Sequence, residues 1–165
     1  MDCNFNEYIT KHSLDLTRLC LSLCGNRADA DDLFQDTWFK AMKNYSKYNK
    51  TLPFDKWLFA ICVNTYKNNL KLAFNRRNVS FADDEEKTRF INSIPDISGE
   101  NSDDYIMLHT AIQRLDKKRR IVLLLFYFKD YSIKEISEIL KIPEGTVKSR
   151  LYSAKSELKR RMKCE

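Results

Sequence analysis

Apolar residues recur every three or four positions along most of the chain, in two stretches with an irregular stretch between them. In residues 5–23 this spacing predicts one helix, with a break near Ser13 as the alternative. A second helix is expected over residues 29–44, with Asp29 as its N-cap, and a third over 54–75. Residues 45–53 end at Pro53 and predict a loop. Together these elements predict a first helical bundle.

The inward faces of these three helices follow from the same spacing. The first is expected to bury Tyr8, Ile9, Leu16, Leu19, Cys20 and Leu23. The second is expected to bury Leu33, Phe34, Trp38, Ala41 and Met42. The third is expected to bury Trp57, Leu58, Ile61, Cys62, Thr65 and Leu72.

A second bundle is expected over residues 105–163. Its first stripe comprises Ile106, His109, Ile112 and Leu115. Asp116 can cap a helix over 117–128 that is apolar nearly all round and hence central. Ser132 and Glu135 form a predicted capping box, and residues 141–143 form a tight turn. The last helix, over 144–162, is expected to bury Val147, Leu151, Ala154 and Leu158.

Composition supports this all-α assignment and adds a charge pattern. Three Gly and three Pro in 165 residues are too few for the corners of an all-β fold. Residues 1–79 carry 12 basic and 8 acidic side chains, residues 80–105 carry 2 and 8, and residues 106–165 carry 15 and 7. Two basic bundles joined by an acidic linker suit a polyanionic partner, with simple solvation of the charged helices as the alternative. The linker also holds Phe90, Ile91, Ile94 and Ile97, too apolar for a pure random coil.

Neither a membrane anchor nor a hydrolytic site is predicted. No apolar run approaches the length of about 18 residues that spans a membrane, and the start lacks a signal peptide, so a cytoplasmic protein is expected. Cys20 and Cys24 share a helical face, but no further ligand is near, so they are expected to be buried small hydrophobes rather than a metal pair. His12 and His109 are isolated. Without a His/Cys/acid constellation or a Gly-rich phosphate loop, no enzyme, metal or cofactor is expected.

The last two predicted helices have the spacing of a helix-turn-helix, whose second helix lies in a major groove. With the apolar stripe buried, Lys148, Ser149, Tyr152, Lys155 and Lys159 fall on the outward face. Gly145 and Thr146 leave backbone N–H groups free for a phosphate at the helix N-terminus. An ordinary helical hairpin with a solvated basic face is the alternative.

Four segments together resemble the sigma-70 superfamily of RNA polymerase sigma factors. YSIKEISEIL (131–140) and EGTVKSRL (144–151) resemble its C-terminal DNA-binding domain. DADDLFQDTWFKA (29–41) is similar to its polymerase-binding helix, and WLFAICVN (57–64), about 15 residues later, to its promoter-melting helix. Larger sigma factors carry further domains, for which this chain has no room. It therefore resembles the compact extracytoplasmic-function (ECF) group.

The resemblance implies a non-enzymatic initiation factor with three parts. Residues 1–79 would be a region 2 domain that binds core RNA polymerase and melts the −10 element. Residues 80–104 would be the linker, and 105–165 a region 4 helix-turn-helix domain that reads the −35 element. The implied partners are promoter DNA and core polymerase, through the clamp coiled coil of its largest subunit and its flap. An anti-sigma factor is left open as a further partner.

The resemblance also assigns roles to individual residues. The residues that would bind polymerase are Asp32, Leu33, Gln35 and Asp36. The alternative is an acidic first turn that is simply solvated, which would explain the two acids at 31 and 32 but hardly Gln35. The −10 contacts would be Tyr45, Tyr48, Trp57, Asn64, Lys67 and Asn68, with a flipped base held by the 45–53 loop. The −35 contacts would be Thr146, Lys148, Ser149, Arg150, Tyr152 and Lys155. Relatives often have Arg where Ala60 stands here.

Residues 45–69 interleave aromatic and basic side chains, which suits binding to the single strand of a melted −10 element. Promoter opening costs about 1.4 kcal/mol of stacking per base step, and an aromatic ring returns about 1–3 kcal/mol per unstacked base. Trp57 could equally belong to the core. Two other functions remain open at this point: a dimeric helix-turn-helix transcriptional regulator, and an inhibitory decoy that binds polymerase without initiating.

Overall fold

The computed structural model describes residues 3–75 and 102–163, and every regular element among them is helical. They form two units, one within Met1–Asp83 and the other within Asp84–Glu165. The all-α prediction is confirmed. The predicted linker, residues 80–104, lies outside the described residues except for its last three, which begin a helix.

Within residues 3–75, the first unit forms three α-helices and one short 3-10 helix. Helix α1 spans Cys3–Leu23, α2 spans Arg27–Asn44, the 3-10 turn spans Tyr45–Lys47, and α3 spans Phe54–Asn75. Helix α1 is continuous through Ser13, whose hydroxyl donates to the carbonyl of Ile9 at 2.6 Å, so no break occurs there.

Helix α2 begins two residues before the predicted start because a different residue caps it. Asn26 has an extended backbone, and its side-chain oxygen accepts the backbone N–H of Asp29 at 2.8 Å. Asp29, the predicted N-cap, therefore lies in the first turn, where its carboxylate faces the positive end of the helix dipole. The prediction of Asp29 as the cap is wrong.

The core of the first unit is built from one face of each helix. Leu16 and Leu23 of α1, Leu33 of α2, and Leu58 and Val63 of α3 are all fully buried. The buried face of α2 comprises Ala30, Leu33, Thr37 and Ala41. Phe34, Trp38, Trp57 and Ile61 are only half-buried, and Met42 and Leu72, both predicted to face inward, are exposed.

Three cysteines of the first unit, Cys20, Cys24 and Cys62, are core residues. Cys20 of α1 and Cys62 of α3 are buried with their sulfur atoms 3.8 Å apart, and Cys24 is buried as well. The hydrogen bond with Cys62 and burial both raise the pKa of Cys20, so the thiol stays protonated. Their role as small buried hydrophobes is confirmed.

Residues 102–163 of the second unit form four helices: α4 at Ser102–Gln113, α5 at Lys117–Tyr127, α6 at Ile133–Leu140 and α7 at Glu144–Lys163. Asp116 caps α5 as predicted, accepting the backbone N–H of Lys118 at 3.2 Å. Helix α5 is the central element, because its residues from Arg120 to Leu125 are all buried.

Arg120 connects α5 to the end of α4. Its guanidinium donates to the carbonyl oxygens of Ile112 at 3.2 Å and Leu115 at 3.1 Å, and also to that of Gln113. The last carbonyls of a helix have no partner within it, so this buried cation satisfies groups that would otherwise be costly to bury.

Local signals set the geometry of the helix-turn-helix. Ser132 and Glu135 form the predicted capping box at the start of α6. The helix ends where Lys141 adopts a left-handed conformation with φ 55°. Helix α7 then begins after Pro143, whose carbonyl accepts the N–H of Val147 at 3.1 Å. The left-handed Lys141 and, two residues later, Pro143 therefore define the turn.

Candidate nucleic-acid and partner interfaces

The exposed face of α2 carries three of the four residues predicted to bind a partner. Asp32, Gln35 and Asp36 are exposed on the side opposite the buried Ala30, Thr37 and Ala41. Leu33 is only 1% exposed and packs in the core. It is therefore corrected to a core residue, because a partner could reach it only if α2 left α1 and α3.

The same face continues into two apolar residues that the sequence assignment did not include. Phe39 is 60% exposed, and Met42 is also exposed. Phe39 lies three residues after Asp36 and seven after Asp32, which places the three on one side of the helix. Their spacing is visible in the sequence, but the apolar pattern predicts that Met42 belongs to the core stripe. Acidic residues beside exposed apolar side chains are typical of a protein-binding surface.

Tyr45, Tyr48 and Trp57 belong to an aromatic cluster rather than to an open loop. Tyr48 is 9% exposed, its ring lies 4.9 Å from that of Trp57 and 5.4 Å from that of Phe54, and its hydroxyl donates to the carbonyl of Leu52. The hydroxyl of Tyr45 is also buried. Tyr48 is thus corrected to a core residue, whereas Tyr45 and Trp57 are half-buried and keep part of their surface exposed.

The loop that follows the 3-10 turn is held in one shape by its own side chains. The Asn49 side-chain oxygen accepts from the backbone N–H of Thr51 at 3.0 Å and from its hydroxyl at 2.8 Å. Asn49, Lys50, Thr51 and Leu52 are all exposed. The loop therefore presents polar groups and one apolar side chain to solvent, and the hydrogen bond from Tyr48 to the Leu52 carbonyl holds its end.

The exposed side of α3 brings together the remaining candidate residues of the first unit. Asn64 and Asn68 are exposed one turn apart, and Lys67 is half-buried beside them. Lys71 is exposed one turn beyond Lys67 and extends this face, although the sequence assignment did not include it. Amide and ammonium groups in one row suit both bases and phosphates.

Helix α7 separates its apolar and polar residues as predicted. Val147, Leu151 and Ala154 are buried, and Leu158 is half-buried. On the outward side Lys148, Ser149 and Lys155 are exposed, Tyr152 is 75% exposed, and Thr146 and Arg150 are half-buried. The Ser149 hydroxyl donates to the Thr146 carbonyl at 3.0 Å. Within its unit, the outward side at the start of α7 therefore presents polar side chains to solvent.

The other end of α7 is anchored to α5 by an ion-pair network. The Glu157 carboxylate accepts from Arg119 of α5 at 2.8 Å and from Arg161 of α7 at 2.7 Å. The hydrogen bond with Arg161, aided by Arg119, holds the pKa of Glu157 below its usual value. Glu157 therefore remains charged and keeps α7 in a defined position on α5.

Two classes of site are not found in the part of the chain that the structure describes. Its His, Cys, Asp and Glu residues form no group of three or more that could bind a metal ion. No helix within 3–75 or 102–163 is long and apolar enough to cross a membrane.

Comparison with known proteins identifies both units. Residues 8–73 match the family model for sigma-70 region 2, and residues 105–158 match the model for sigma-70 region 4. The RNA polymerase sigma factor SigV of Bacillus subtilis is 30% identical over 88% of this chain and 83% of its own length. The chain belongs to the ECF sigma factors of the sigma-70 family. The ECF sigma factor SigW of the same organism is 26% identical over 96% of this chain and 89% of its own.

The fold comparison agrees with this family. The sigma factor RpoE of Bartonella quintana, solved in complex with the anti-sigma factor NepR, matches with a TM-score of 0.78 at 21% identity, covering 97% of both chains. As an ECF sigma factor the protein directs RNA polymerase in transcription initiation and is not an enzyme. The region 2 match in the N-terminal unit decides against a dimeric helix-turn-helix regulator.

Proposed function

We propose that this ECF sigma factor divides promoter recognition between its two units. The first, assigned to residues 1–79, binds core polymerase and opens the −10 element. The second, assigned to residues 105–165, reads the −35 element. Residues 80–104 carry 8 acidic and 2 basic side chains, and we assign them to an acidic linker whose charge is repelled by DNA.

The polymerase contact is assigned to the exposed face of α2. Asp32, Gln35 and Asp36 supply charge and hydrogen bonds, and Phe39 supplies apolar area beside them. Acidic groups at the edge of such a contact favour a basic partner and raise the association rate. The resemblance noted above makes that partner the clamp coiled coil of the polymerase's largest subunit.

The −10 contact is assigned to the exposed side of α3 and the loop before it. Asn64, Lys67 and Asn68 contact the bases and backbone of the melted strand, and the exposed edges of Tyr45 and Trp57 offer stacking surface. Tyr48 acts indirectly, because its hydroxyl holds the Leu52 carbonyl and thereby the shape of the loop.

The observation that carries the −35 assignment is the two-sided character of α7. Its buried side fixes the helix in the helix-turn-helix, while Lys148, Ser149 and Tyr152 project from the first two turns of the opposite side. Side chains at the start of a recognition helix reach base edges. Thr146, Arg150 and Lys155 flank them and contact phosphates, which set register without specifying sequence.

We propose two further partners from the family resemblance and from solved complexes of similar proteins. The polymerase flap is the expected contact of the second unit. An anti-sigma factor is also expected, since RpoE of Bartonella quintana was solved with one, as was the similar protein CnrH with the cytosolic domain of CnrY, at a TM-score of 0.65 and 20% identity. Because polymerase and the chromosome are the proposed partners, we assign the protein to the cytoplasm.

Run-off transcription tests the proposed function. Purified protein is added to core polymerase on templates from a library of random −35 and −10 sequences and on the DNA upstream of its own gene. Discrete transcripts that depend on the protein are expected. Co-purification with core polymerase without any transcript would instead support an inhibitory decoy.

A further inference from the structure

The end of α5 places an aromatic ring beneath one of the cations of the recognition helix. Tyr127 is the last residue of α5 and is 48% exposed. The ammonium of Lys155 lies over this ring, 5.4 Å from its centroid. That distance is within the range at which a ring quadrupole attracts a cation.

The ring is itself held in place. The half-buried ring of Phe126 meets it edge to face, with centroids 5.1 Å apart and an interplanar angle of 76°. The ion pair between Arg119 and Glu157, at 2.8 Å, separately fixes α7 against α5 two residues beyond Lys155. Tyr127 and Lys155 are thus presented to each other by two packed helices rather than meeting by chance on a flexible surface.

We propose that Tyr127 is a positioning residue for DNA binding, which holds the Lys155 ammonium where a −35 phosphate will lie. The inference rests on the proposed role of Lys155 as a phosphate contact. A free lysine side chain loses much of its rotamer freedom when its ammonium is fixed by a ligand. Confining the ammonium over a ring beforehand removes part of that loss from the binding step.

The arrangement leaves the cation available to DNA. An ammonium has three N–H donors, and a ring below it faces only one side of the group. Because Lys155 is exposed, its other side is open to solvent, and a phosphate can approach there without displacing the ring. Both ring face and phosphate attract the same charge, so their effects on its position reinforce each other.

The test measures promoter affinity of the reconstituted holoenzyme at several salt concentrations, on a promoter that the wild-type holoenzyme selects from a random library. Tyr127→Leu is expected to weaken binding about two- to five-fold, because the freed Lys155 side chain then loses more rotamer freedom when it binds the phosphate. Lys155→Ala is expected to lower the salt slope by about one unit, because one phosphate contact is lost. Tyr127→Leu should lower the slope by part of that amount.

Two further comparisons separate positioning from a general structural role. Tyr127→Phe keeps the ring and should therefore bind the promoter with wild-type affinity. When Lys155 is already replaced by Ala, Tyr127→Leu should lower promoter affinity no further. Phe128→Leu is the matched control, since it removes the neighbouring exposed ring, and it should leave the salt slope unchanged.

The outcomes that would overturn the proposal are distinct. Tyr127 would be a structural residue if Tyr127→Leu lowered promoter affinity equally with and without Lys155, or if Tyr127→Phe did not keep wild-type affinity. Either result would leave the sigma-factor function intact. Tighter binding by Tyr127→Leu would mean that the ring withholds Lys155 from DNA. A wild-type holoenzyme that selects no promoter would instead remove the proposed function itself, and the positioning role with it.

Discussion

His109 and Arg120 lie in the interior of the second unit, and burial there controls the charge of the imidazole. His109 is 5% exposed, and desolvation together with the nearby Arg120 cation lowers its pKa to about 4. The imidazole is therefore neutral in the folded protein near neutral pH, although in an unfolded chain it would titrate near 6.5. This difference makes the stability of the second unit depend on pH.

Acidification should destabilise the second unit through His109. Between pH 6.5 and 4 the unfolded chain binds a proton that the folded chain does not, so stability is full above the unfolded pKa and falls as pH is lowered through this window. From pH 7 to pH 5 the expected loss is about 2 kcal/mol, at 1.36 kcal/mol per pKa unit. The measurement is urea unfolding at both pH values, with His109→Leu as the comparison.

The optical probes can assign the effect to the correct unit. Both tryptophans, Trp38 and Trp57, lie in the first unit, so their fluorescence follows that unit, whereas far-UV circular dichroism follows both. The pH-dependent change should appear in circular dichroism and disappear in His109→Leu. The same pH dependence in both proteins would show that other groups, such as surface carboxylates, are responsible.

Tyr48 shows why sequence alone could not assign every residue of the candidate site. An aromatic side chain among lysines suits a stacked base and a small core equally well, because both uses depend on the same apolar ring. The decisive facts are tertiary: Phe54 and Trp57 of α3 close over the ring, and the hydroxyl finds the Leu52 carbonyl. Asn64, by contrast, is exposed on α3, so the −10 contact that the family resemblance implies for it stays a prediction.

This distinction between Tyr48 and Asn64 is testable. Asn64→Ala should reduce open-complex formation with little change in stability, and binding to a pre-melted template should suffer less. Tyr48→Ala should instead lower the stability of the first unit by about 3–5 kcal/mol, the range for truncating a buried ring. Permanganate reactivity of promoter thymines reports opening, and urea unfolding followed by tryptophan fluorescence reports stability.

Asn6→Ala, an equivalent change at an exposed position of α1, is the control for Asn64→Ala and should alter neither measurement. Normal thymine reactivity in Asn64→Ala would remove Asn64 from the −10 contacts. A stable Tyr48→Ala protein that fails to open promoters would restore Tyr48 as a DNA contact.

At the scale of helices, boundaries followed from the sequence wherever one capping signal stood alone. The Asp116 cap and the Ser132–Glu135 box were both predicted and both form. At α2, Asn26 and Asp29 are each good capping residues three positions apart, and the backbone conformation of Asn26 decides between them. Residues 33–42 also hold more apolar side chains than one face can bury, so only the packing of α1 and α3 shows that Met42 is left outside.

Helix α7 should read sequence through its first turns. Lys148→Ala is expected to cost about 1–3 kcal/mol and to relax the preference at one or two −35 positions, because an outward lysine at the start of a recognition helix reaches base edges. The measurement is transcription of a −35 library by each variant. Lys134→Ala, which removes an exposed lysine from α6, should leave the preference unchanged. If Lys148→Ala weakens every promoter equally, Lys148 contacts a phosphate instead.

At the scale of the whole molecule, both units carry basic charge, and the proposed clamp contact lies on the first. The net charge of +6 is unevenly distributed, with the basic residues concentrated in the two helical units. General attraction to DNA is therefore shared by both units, but the proposed contact with the polymerase clamp belongs to α2 alone. A single change on that face should separate recruitment of polymerase from DNA reading in the same chain.

Asp36→Arg is expected to abolish this recruitment. Asp36 is exposed, so reversing its charge should leave the fold and the circular dichroism unchanged. Placing a cation against a basic partner surface costs several kcal/mol, which corresponds to a loss of affinity for core polymerase of about 100-fold. The variant should fail to co-purify with core polymerase and fail to initiate at every promoter, whatever its −35 sequence.

Competition with the wild-type protein for core polymerase, and a matched control variant, test the role of Asp36. Because the variant cannot occupy core polymerase, an excess of it should not inhibit transcription by the wild-type protein. Glu7→Arg, the same charge reversal at an exposed position of α1, should bind core polymerase and initiate normally. Co-purification of Asp36→Arg at wild-type yield would place the polymerase contact on another surface. Loss of binding in both variants would point instead to net charge, since each raises it by two.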